Sequence, residues 1–356
     1  MPPPNPSAPN ANLPASLADV ARLASVSLST ASRALDPSAT HPVRASTRQR
    51  VVDAARTLDY RPNLLARGLR ASRLAMLAVV VHDLADPYFA ETVRGASEEA
   101  AKDGYLTYVC SSGRDAEVEL RYVEMLRLSR VSAVLFAGGG LDAPDANARI
   151  EEQVDGIQEY GGTVVALAPR EEPWPTEVCD NHEGMRLATQ HLLDLGHERI
   201  ACISGPPAVL TSREREAGYL AAMQAAGAAP LIERADFTIP GGVAATVALL
   251  DGDRPLTALA VAGDTMALGT LAELRRRGLS VPGDLSVTGL GDIPAWDYEH
   301  PALTTVQVGL AEIGAAGARR ALELLAGPSA GPRVRVHPVQ LIVRDSTAPP
   351  RRGHGS

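Results

Sequence analysis

The chain has 356 residues, of which 45% are hydrophobic and 21% charged, a balance typical of globular proteins with an ample core. The length predicts two or three domains, and no apolar run approaches the ~18 residues of a membrane helix, so we expect no membrane partner. The net charge is −8, but residues 1–75 contain ten arginines, no lysine and four acidic residues. That segment therefore carries +6 and the remainder −14, which makes the amino-terminal part the one suited to contact phosphates.

The amino terminus and the cysteines bear on where the protein works. Residues 1–14 are rich in Pro, Asn and Ala and lack the charged and apolar regions of a secretory signal, so they predict a disordered tail. Cys110, Cys179 and Cys202 form no CxxC motif, and each lies in or beside an apolar run. We expect buried, reduced thiols in a cytoplasmic protein.

Residues 15–61 predict three short helices. A capping box, Ser16-x-x-Asp19, opens the first helix, and residues 28–35 form the second. Ser46-x-x-Gln49 is expected to cap the third. Only a short turn separates the first two helices, which is the helix-turn-helix arrangement of many DNA-binding domains.

Residues 62–73 predict a hinge. Pro62 ends the preceding helix, and Asn63 can cap a short helix over residues 64–69. A helix of this length that contains Gly68 is marginal on its own, so it is expected to form when DNA is bound.

Between residues 74 and 346, apolar runs alternate with amphipathic helical stretches, the pattern of buried parallel sheets with helical crossovers. The runs are 77–81, 106–110, 133–136, 164–167, 200–204, 258–262 and 285–288. They predict two doubly wound lobes with a ligand crevice at the carboxyl ends of the strands. We expect the first lobe at about 74–168 and 306–332, the second at about 169–305 and 333–346, and a disordered tail at 347–356.

Several motifs in order along the chain resemble the LacI family of bacterial regulators. They are Leu17-Ala-Asp-Val-Ala-Arg-Leu-Ala-Ser-Val-Ser-Leu-Ser-Thr-Ala-Ser-Arg-Ala-Leu35, Tyr60-Arg-Pro-Asn63, Asp86-Pro-Tyr-Phe89, Leu192-Leu-Asp-Leu-Gly-His197, Gly263-Asp-Thr-Met-Ala-Leu-Gly269 and Leu303-Thr-Thr-Val306. The resemblance implies an all-α helix-turn-helix headpiece and an α/β core of two parallel-sheet lobes, similar to a periplasmic binding protein. It also implies a transcriptional regulator whose DNA affinity depends on a small molecule.

The second helix of the headpiece is expected to read base edges in the major groove from its amino-terminal end. The residues there are Leu28 and Ser29, with Thr30 and Arg33 on the following turn. Arg33 suits a bidentate contact to guanine, whereas Leu28 suits a thymine methyl group. The alternative is purely structural, with Leu28 in the core and Arg33 a solvated surface charge.

Two further groups of residues are expected on DNA. Ser27 and Thr47 lie near helix starts and suit phosphate contacts. The resemblance implies that the hinge helix enters the minor groove, with Leu69 wedged between base pairs and Asn63 and Ala66 beside it. The alternative for this segment is an ordinary linker.

The small-molecule site is expected in the crevice. The resemblance matches Arg215 to an effector-binding arginine and Phe237 to an aromatic residue that packs on the ligand. Tyr88 and Phe89 follow the first strand, and two more pairs of residues follow later strands, namely Gly263 with Asp264 and Gly291 with Asp292. For both aspartates, helix N-capping is the stronger alternative to ligand contact.

Three positions that supply polar contacts in sugar-binding relatives are small in this sequence, namely Ala168, Gly263 and Gly291. A sugar hydroxyl buried without a partner loses about 1–3 kcal/mol. We therefore expect an effector that is bulkier than a monosaccharide or anionic, with Arg215 holding a carboxylate or phosphate. The effector class is a sugar, a sugar derivative or a sugar acid.

Other features favour structural interpretations. Gly138-Gly139-Gly140 lacks a GxGxxG pattern, so no dinucleotide cofactor is expected. His82 and Asp83 have no further ligand at metal spacing, so no metal is expected either. Trp174 and Trp296 are expected to close loops around the second lobe.

The sequence thus predicts a homodimer on pseudo-palindromic double-stranded operator DNA, because one headpiece covers only a half-site. No leucine heptad follows the core, which favours a dimer over a tetramer. Repression is the family default, and activation is the alternative. A solute-binding protein would need a signal peptide, and an α/β enzyme would need a nucleotide fingerprint or catalytic constellation, so neither class is favoured.

Overall fold

A computed structural model describes residues 15–35, 43–60, 74–294, 300–327 and 331–351. The chain divides into two compact units after Leu74, a small helical headpiece and a large core. The two units are described separately.

The described part of the headpiece contains three helices, α1 Leu17–Leu23, α2 Leu28–Leu35 and α3 Ala45–Thr57. The predicted capping box is present: the Ser16 hydroxyl accepts from the Asp19 amide, and the Asp19 carboxylate accepts from the Ser16 amide. The predicted Ser46 cap is wrong, since α3 already begins at Ala45 and has no side-chain cap. Small buried side chains from all three helices form the headpiece core, namely Val20, Ala21, Ala24, Ala31, Ala34, Val51, Ala54 and Ala55.

The hinge predictions lie outside the described residues. This holds for the helix expected over 64–69 and for the minor-groove roles of Asn63, Ala66 and Leu69.

The core contains two six-stranded sheets. The strands of the first sheet are β1 Leu74–Val81, β2 Leu106–Ser111, β3 Val131–Phe136, β4 Thr163–Ala166, β5 Thr176–Cys179 and β11 Val334–His337. Those of the second are β6 Ile200–Ser204, β7 Ile232–Arg234, β8 Ala258–Val261, β9 Ser286–Gly291, β10 Thr304–Gln307 and β12 Gln340–Ile342. The first sheet has the order β11-β5-β4-β3-β1-β2, and the second has the order β12-β10-β9-β8-β6-β7.

The seven predicted strands are present, and they are parallel to their neighbours as the unbroken apolar runs indicated. The short strands β5, β7, β10, β11 and β12 were not predicted, and β12 pairs antiparallel with β10. The predicted lobe boundaries are wrong in consequence. Strands β5 and β11 belong to the first sheet, although their residues were expected in the second lobe. The lobe boundaries are set by strand pairing between distant segments, which a local sequence pattern does not reveal.

Helices connect the strands and cover both sheets. They are α4 Pro87–Lys102, α5 Ala116–Leu128, α6 Pro144–Glu159, α7 Asn181–Asp194, α8 Leu210–Ala225, α9 Ile239–Leu250, α10 Asp264–Arg276 and α11 Leu310–Ala326. Helices α9 and α10 pack backbone to backbone. A methyl group on Gly242 would collide with the carbonyl of Met266, and one on Gly269 with the carbonyl of Ile239, so both positions need glycine.

The tail expected to be disordered from residue 347 is ordered up to Arg351. His197 Nε2 lies 2.9 Å from the carbonyl oxygen of Ala348, and the Ser286 hydroxyl donates to the same oxygen over 3.0 Å. Arg351 forms a 2.7 Å ion pair with Asp284. The prediction failed because these contacts join residues 60 or more positions apart, which the Pro- and Arg-rich composition of the tail does not reveal.

Two expectations from the sequence concern the cysteines and membrane-spanning helices. The thiols of Cys110, Cys179 and Cys202 are all free and buried, as predicted. Within the described ranges, no helix is long and apolar enough to span a bilayer.

Trp174 does not close a loop of the second lobe as predicted, because it stacks on Phe136 of β3 in the first lobe, with ring centroids 4.8 Å apart. Trp296 lies outside the described residues.

Candidate functional site

The amino-terminal end of α2 forms an exposed surface of the headpiece. Leu28 is 49% exposed, although it is a large apolar residue, and Ser29 and Arg33 are also exposed. Arg33 lies one turn after Ser29 and donates from Nε to its carbonyl over 3.3 Å. The structural alternative, that Leu28 fills the core, is therefore wrong. The core is filled by Ala31 and Ala34 on the opposite face of α2.

Hydroxyl groups line the same end of α2. The Ser27 hydroxyl accepts from the Thr30 amide over 3.1 Å and lies 2.9 Å from Ser29 Oγ and 2.8 Å from Thr30 Oγ1. Ser27 thus caps the first turn of α2 in addition to any contact with phosphate. Thr47 is half-buried in the first turn of α3. Hydroxyls, an exposed leucine and a guanidinium on one helix end are the groups that read base edges and phosphates.

In the core, a cavity with about 50 Å³ of space for water-sized molecules lies between the two lobes. Its walls come from segments at the carboxyl ends of β1 to β4 in the first lobe and of β6 to β9 in the second. Most of the predicted effector residues line it, namely Tyr88, Phe89, Arg215, Phe237, Gly263 and Asp264, and Ala168 does so too.

Arg215 is held firmly by the protein. Its side chain comes from α8 and is buried, with Nε donating to Asn181 Oδ1 over 2.9 Å and Nη1 to the Ala262 carbonyl over 2.8 Å. The guanidinium carbon lies 5.6 Å from the ring centroid of Tyr88 and 5.8 Å from that of Phe237. Two of its three nitrogens are therefore occupied, and Arg215 orients the aromatic walls.

Asp264 is the first residue of α10, but the N-cap position belongs to Gly263, so the N-capping interpretation of Asp264 is wrong. Its buried carboxylate accepts from Thr305 Oγ1 over 2.7 Å and from the Ile293 amide over 3.1 Å. Gly263 leaves room for the Phe237 ring, since a methyl group there would lie 3.2 Å from Cδ1. Asp264 thus ties the cavity wall to β10 and to the segment after β9.

The structure does not bring Gly291 and Asp292 into the cavity. Leu290 and Ile293 on either side do line it, whereas Asp292 between them has a φ of +56°. Asp292 forms a 2.7 Å ion pair with Arg344, accepts from Gln307 Nε2 over 2.9 Å and does not line the cavity. The helix that it was expected to cap would extend into residues 295–299, outside the described residues, so the capping role stays a prediction. A methyl group on Gly291 would lie 3.1 Å from the carboxylate of Asp264, which makes this glycine a support for the wall.

Sequence reasoning missed several polar residues of the cavity. Arg114, Thr211, Thr265 and Asp86 all line it, and so does His82, which was considered near the crevice. Burial, with the nearby charges of Arg170 and Arg114, lowers the pKa of His82 to about 3. Burial raises the pKa of Asp86. His82 and Asp86 follow β1, and Arg114 follows β2. That position was the signal available in the sequence, because loops at the carboxyl ends of parallel strands meet at the crevice.

The remaining sequence features have structural roles. Gly138 packs against the imidazole of His82, and Gly139 against the hydroxyl of Thr211, so close approach explains these glycines. Within the described part of the chain, no three His, Cys, Asp or Glu side chains are grouped as metal ligands.

Comparison with known proteins places both units in one family. Residues 16–63 match the profile of bacterial regulatory proteins of the lacI family, and residues 189–347 match a periplasmic binding protein-like domain. The transcriptional repressor CytR of Escherichia coli K12 is 34% identical over 339 residues, which cover 94% of this chain and 96% of CytR. The regulator DegA of Bacillus subtilis strain 168 is 31% identical over 334 residues, 93% of this chain and 97% of DegA.

Solved structures agree with this assignment. A lac repressor dimer bound to operator and the anti-inducer ONPF is 28% identical and superposes with a TM-score of 0.82, covering 94% of this chain and 100% of the repressor chain. A complex of the regulator CelR with cellobiose is 32% identical with a TM-score of 0.67, covering 93% of this chain and 99% of that chain. The chain therefore belongs to the LacI family of DNA-binding transcriptional regulators.

Proposed function

We propose that this protein is a cytoplasmic repressor that binds a pseudo-palindromic operator as a homodimer and changes its operator affinity when a small molecule occupies the interlobe cavity. The observation that carries the DNA-binding part is the exposed end of α2, where Leu28, Ser29 and Arg33 project from a packed headpiece. One headpiece reaches only a half-site, so a two-fold dimer suits a palindrome. Activation of transcription is the second candidate, because an operator contact has the same geometry in either case.

The cavity supports the sensing part of the proposal. It is lined by residues from both lobes, so a molecule bound there favours one relative position of the lobes, and occupancy is coupled to lobe movement. CelR is described in complex with cellobiose, and a LacI-family regulator of Enterococcus faecium with bound ribose. We propose a sugar, a sugar derivative or a sugar acid for this chain as well. No catalytic role or cofactor is included in the proposal.

The DNA-binding part is tested by selecting a binding sequence from a random duplex pool with the full-length protein. Fluorescence anisotropy then gives the affinity for that sequence as a function of salt, and a steep negative log–log slope is expected. Arg33→Gln should weaken binding to the selected sequence about tenfold or more, since a bidentate guanine contact contributes about 1–3 kcal/mol.

Arg22→Gln is the matched control, because Arg22 is an exposed headpiece arginine on α1 that pairs with Asp19 within its own helix. It should retain sequence preference. Failure of the selection to enrich any sequence, or an Arg33 variant with unchanged affinity, would contradict the proposal.

A further inference from the structure

Arg114 occupies an unusual position in the wall of the cavity. It lies in the turn between β2 and α5, where Gly113 and Arg114 have φ values of +66° and +62°. The left-handed region suits glycine and asparagine, and a long side chain there is uncommon. Residues held in such conformations tend to mark functional sites. The turn directs the Arg114 side chain to the cavity, which it lines.

The surroundings of the Arg114 guanidinium leave it without a polar partner in the described part of the protein. Its carbon lies 5.6 Å from the ring centroid of Phe237, which belongs to the opposite lobe. Its Nε is buried and has no hydrogen-bond acceptor among the described residues. Arg215 also lies near the Phe237 ring, but its Nε donates to Asn181 and its Nη1 to the carbonyl of Ala262.

Within the described residues, no hydrogen bond or ion pair joins a cavity carboxylate to Arg114, although the nearby charge of Arg114 partly offsets the effect of burial on the pKa of Asp86. Asp86 accepts from the Thr265 hydroxyl over 2.8 Å and from the Tyr88 amide over 3.1 Å, and no ion pair joins it to Arg114. Asp264 accepts from Thr305 and Ile293. Burial raises the pKa of Asp86, so its charged form is disfavoured there. The cavity therefore presents bound carboxylates and one guanidinium that still needs an acceptor.

We infer that Arg114 binds an anionic group of the effector, a carboxylate or a phosphate, while the rest of the molecule contacts Phe237. This inference rests on the proposed function and specifies its ligand as an organic anion such as a sugar acid or sugar phosphate. A neutral sugar would leave Arg114 with only neutral acceptors, whereas an anion forms the stronger, charge-assisted hydrogen bond. It moves the anion-binding role from Arg215, whose Nε and Nη1 already donate to Asn181 and Ala262, to Arg114.

The chain contains a matched control residue. Arg130 also has a left-handed backbone, with a φ of +52°, and its guanidinium carbon lies 5.7 Å from the ring of Tyr160. It does not line the cavity. Replacing each arginine by asparagine, which accepts a positive φ, removes the charge with little backbone strain. Both variants therefore remove an arginine charge from a left-handed position, and the charge lost in Arg114→Asn is the one at the cavity.

The test uses full-length wild-type protein and the two variants. Calorimetry compares matched neutral and anionic probes, namely glucose with glucose 6-phosphate and gluconate, and ribose with ribose 5-phosphate. Thermal unfolding in inorganic phosphate provides a probe without a sugar. We expect an anionic probe or phosphate to bind the wild type and Arg130→Asn, and to bind Arg114→Asn at least tenfold more weakly. Preference for the phosphate or the carboxylate member distinguishes the two anions.

Equal phosphate-induced stabilisation of all three proteins would overturn the inference, because an excluded-salt effect acts on any protein surface. Tighter binding of a neutral sugar than of its anionic partners would overturn it as well. These outcomes are separable from failure of the proposed function. If a neutral sugar releases the operator from the wild type and Arg114→Asn equally, the switch is correct and the anion is wrong. If no selected operator exists, the proposed function itself fails.

Discussion

The carboxylate of Asp86 accepts a hydrogen bond of 2.8 Å from the hydroxyl of Thr265. Asp86 caps α4 in the first lobe, and Thr265 is the second residue of α10 in the second. Both residues line the cavity, so this bond joins the two lobes at the place where a ligand would lie. Relative movement of the lobes must break it.

Thr265→Val is expected to destabilise the closed arrangement of the lobes. The buried Asp86 carboxylate loses a hydrogen-bond donor, and leaving a buried acceptor unsatisfied typically lowers the free energy of unfolding by about 1–3 kcal/mol. Urea unfolding of the full-length protein measures the change, with Thr265→Ser as the control that keeps the hydroxyl. Identical unfolding free energies for the valine and serine variants would show that the interlobe bond has no energetic role.

The stability of the core is expected to fall in mild acid because of His82. Burial, followed by the charges of Arg170 and Arg114, lowers the pKa of His82 from 6.5 to about 3. Below pH 6.5, His82 of the unfolded chain therefore binds a proton that the folded chain does not bind. The contribution of neutral His82 to the free energy of unfolding is complete above pH 6.5 and is lost as the pH falls toward 3. The slope approaches about 1.4 kcal/mol per pH unit for one proton.

His82→Gln should flatten the loss of unfolding free energy between pH 6.5 and 4.5, measured by urea titration at each pH. His182→Gln, at an exposed histidine on α7, serves as the control and should keep the wild-type slope. A His82 variant with the same pH slope as the wild type would contradict the assignment.

Leu28→Ala is expected to weaken DNA binding without weakening the headpiece. Leu28 is 49% exposed, so its truncation should change the unfolding free energy by less than about 0.5 kcal/mol. Loss of an apolar base contact should weaken operator affinity by about 1 kcal/mol, roughly fivefold in Kd. Val20→Ala, which truncates a fully buried headpiece residue, should give the opposite pattern of lower stability with the DNA surface intact. Unaltered operator affinity in Leu28→Ala would place Leu28 outside the interface.

Truncation after Ser346 is expected to destabilise the second lobe. It removes Ala348, whose carbonyl interacts with His197 and Ser286, and Arg351, which pairs with Asp284. It also removes the hydrogen bonds of Thr347 with His191 and Thr304 and that of the Ala348 amide with Ser286. At about 1 kcal/mol for each bond, the unfolding free energy should fall by several kcal/mol and the Tm should drop. Truncation after Arg351 is the control and should leave the Tm unchanged. A Tm that is equal in both truncations would mean that these contacts contribute nothing.

Local signals were enough for the headpiece and the buried strands. The Ser16 and Asp19 capping box, the alanine face of α2 and the unbroken apolar runs of β1 and β3 act within a few residues, so their pattern is readable along the chain. Position after parallel strands, which meet at one edge of a sheet, placed Tyr88, Phe89 and Gly263 at the cavity, whereas Phe237 was placed there by the family resemblance.

Other features depended on contacts between distant segments. Strand β11 exists because it pairs with β5, more than 150 residues earlier, and Ala348 is ordered because His197 and Ser286 meet it. Asp292 does not line the cavity, and it forms an ion pair with Arg344 and accepts a hydrogen bond from Gln307, both of which lie further along the chain.

The helix-turn-helix headpiece was thus determined by its sequence alone, through caps and periodicity that act over one or two helical turns. The chemistry of the sensing cavity was decided by the tertiary structure. Arg114 and Phe237 are far apart in the sequence and lie in opposite lobes, and only the packing of the lobes brings the guanidinium to 5.6 Å from the ring. No local pattern records which polar groups such packing satisfies and which it leaves for a ligand.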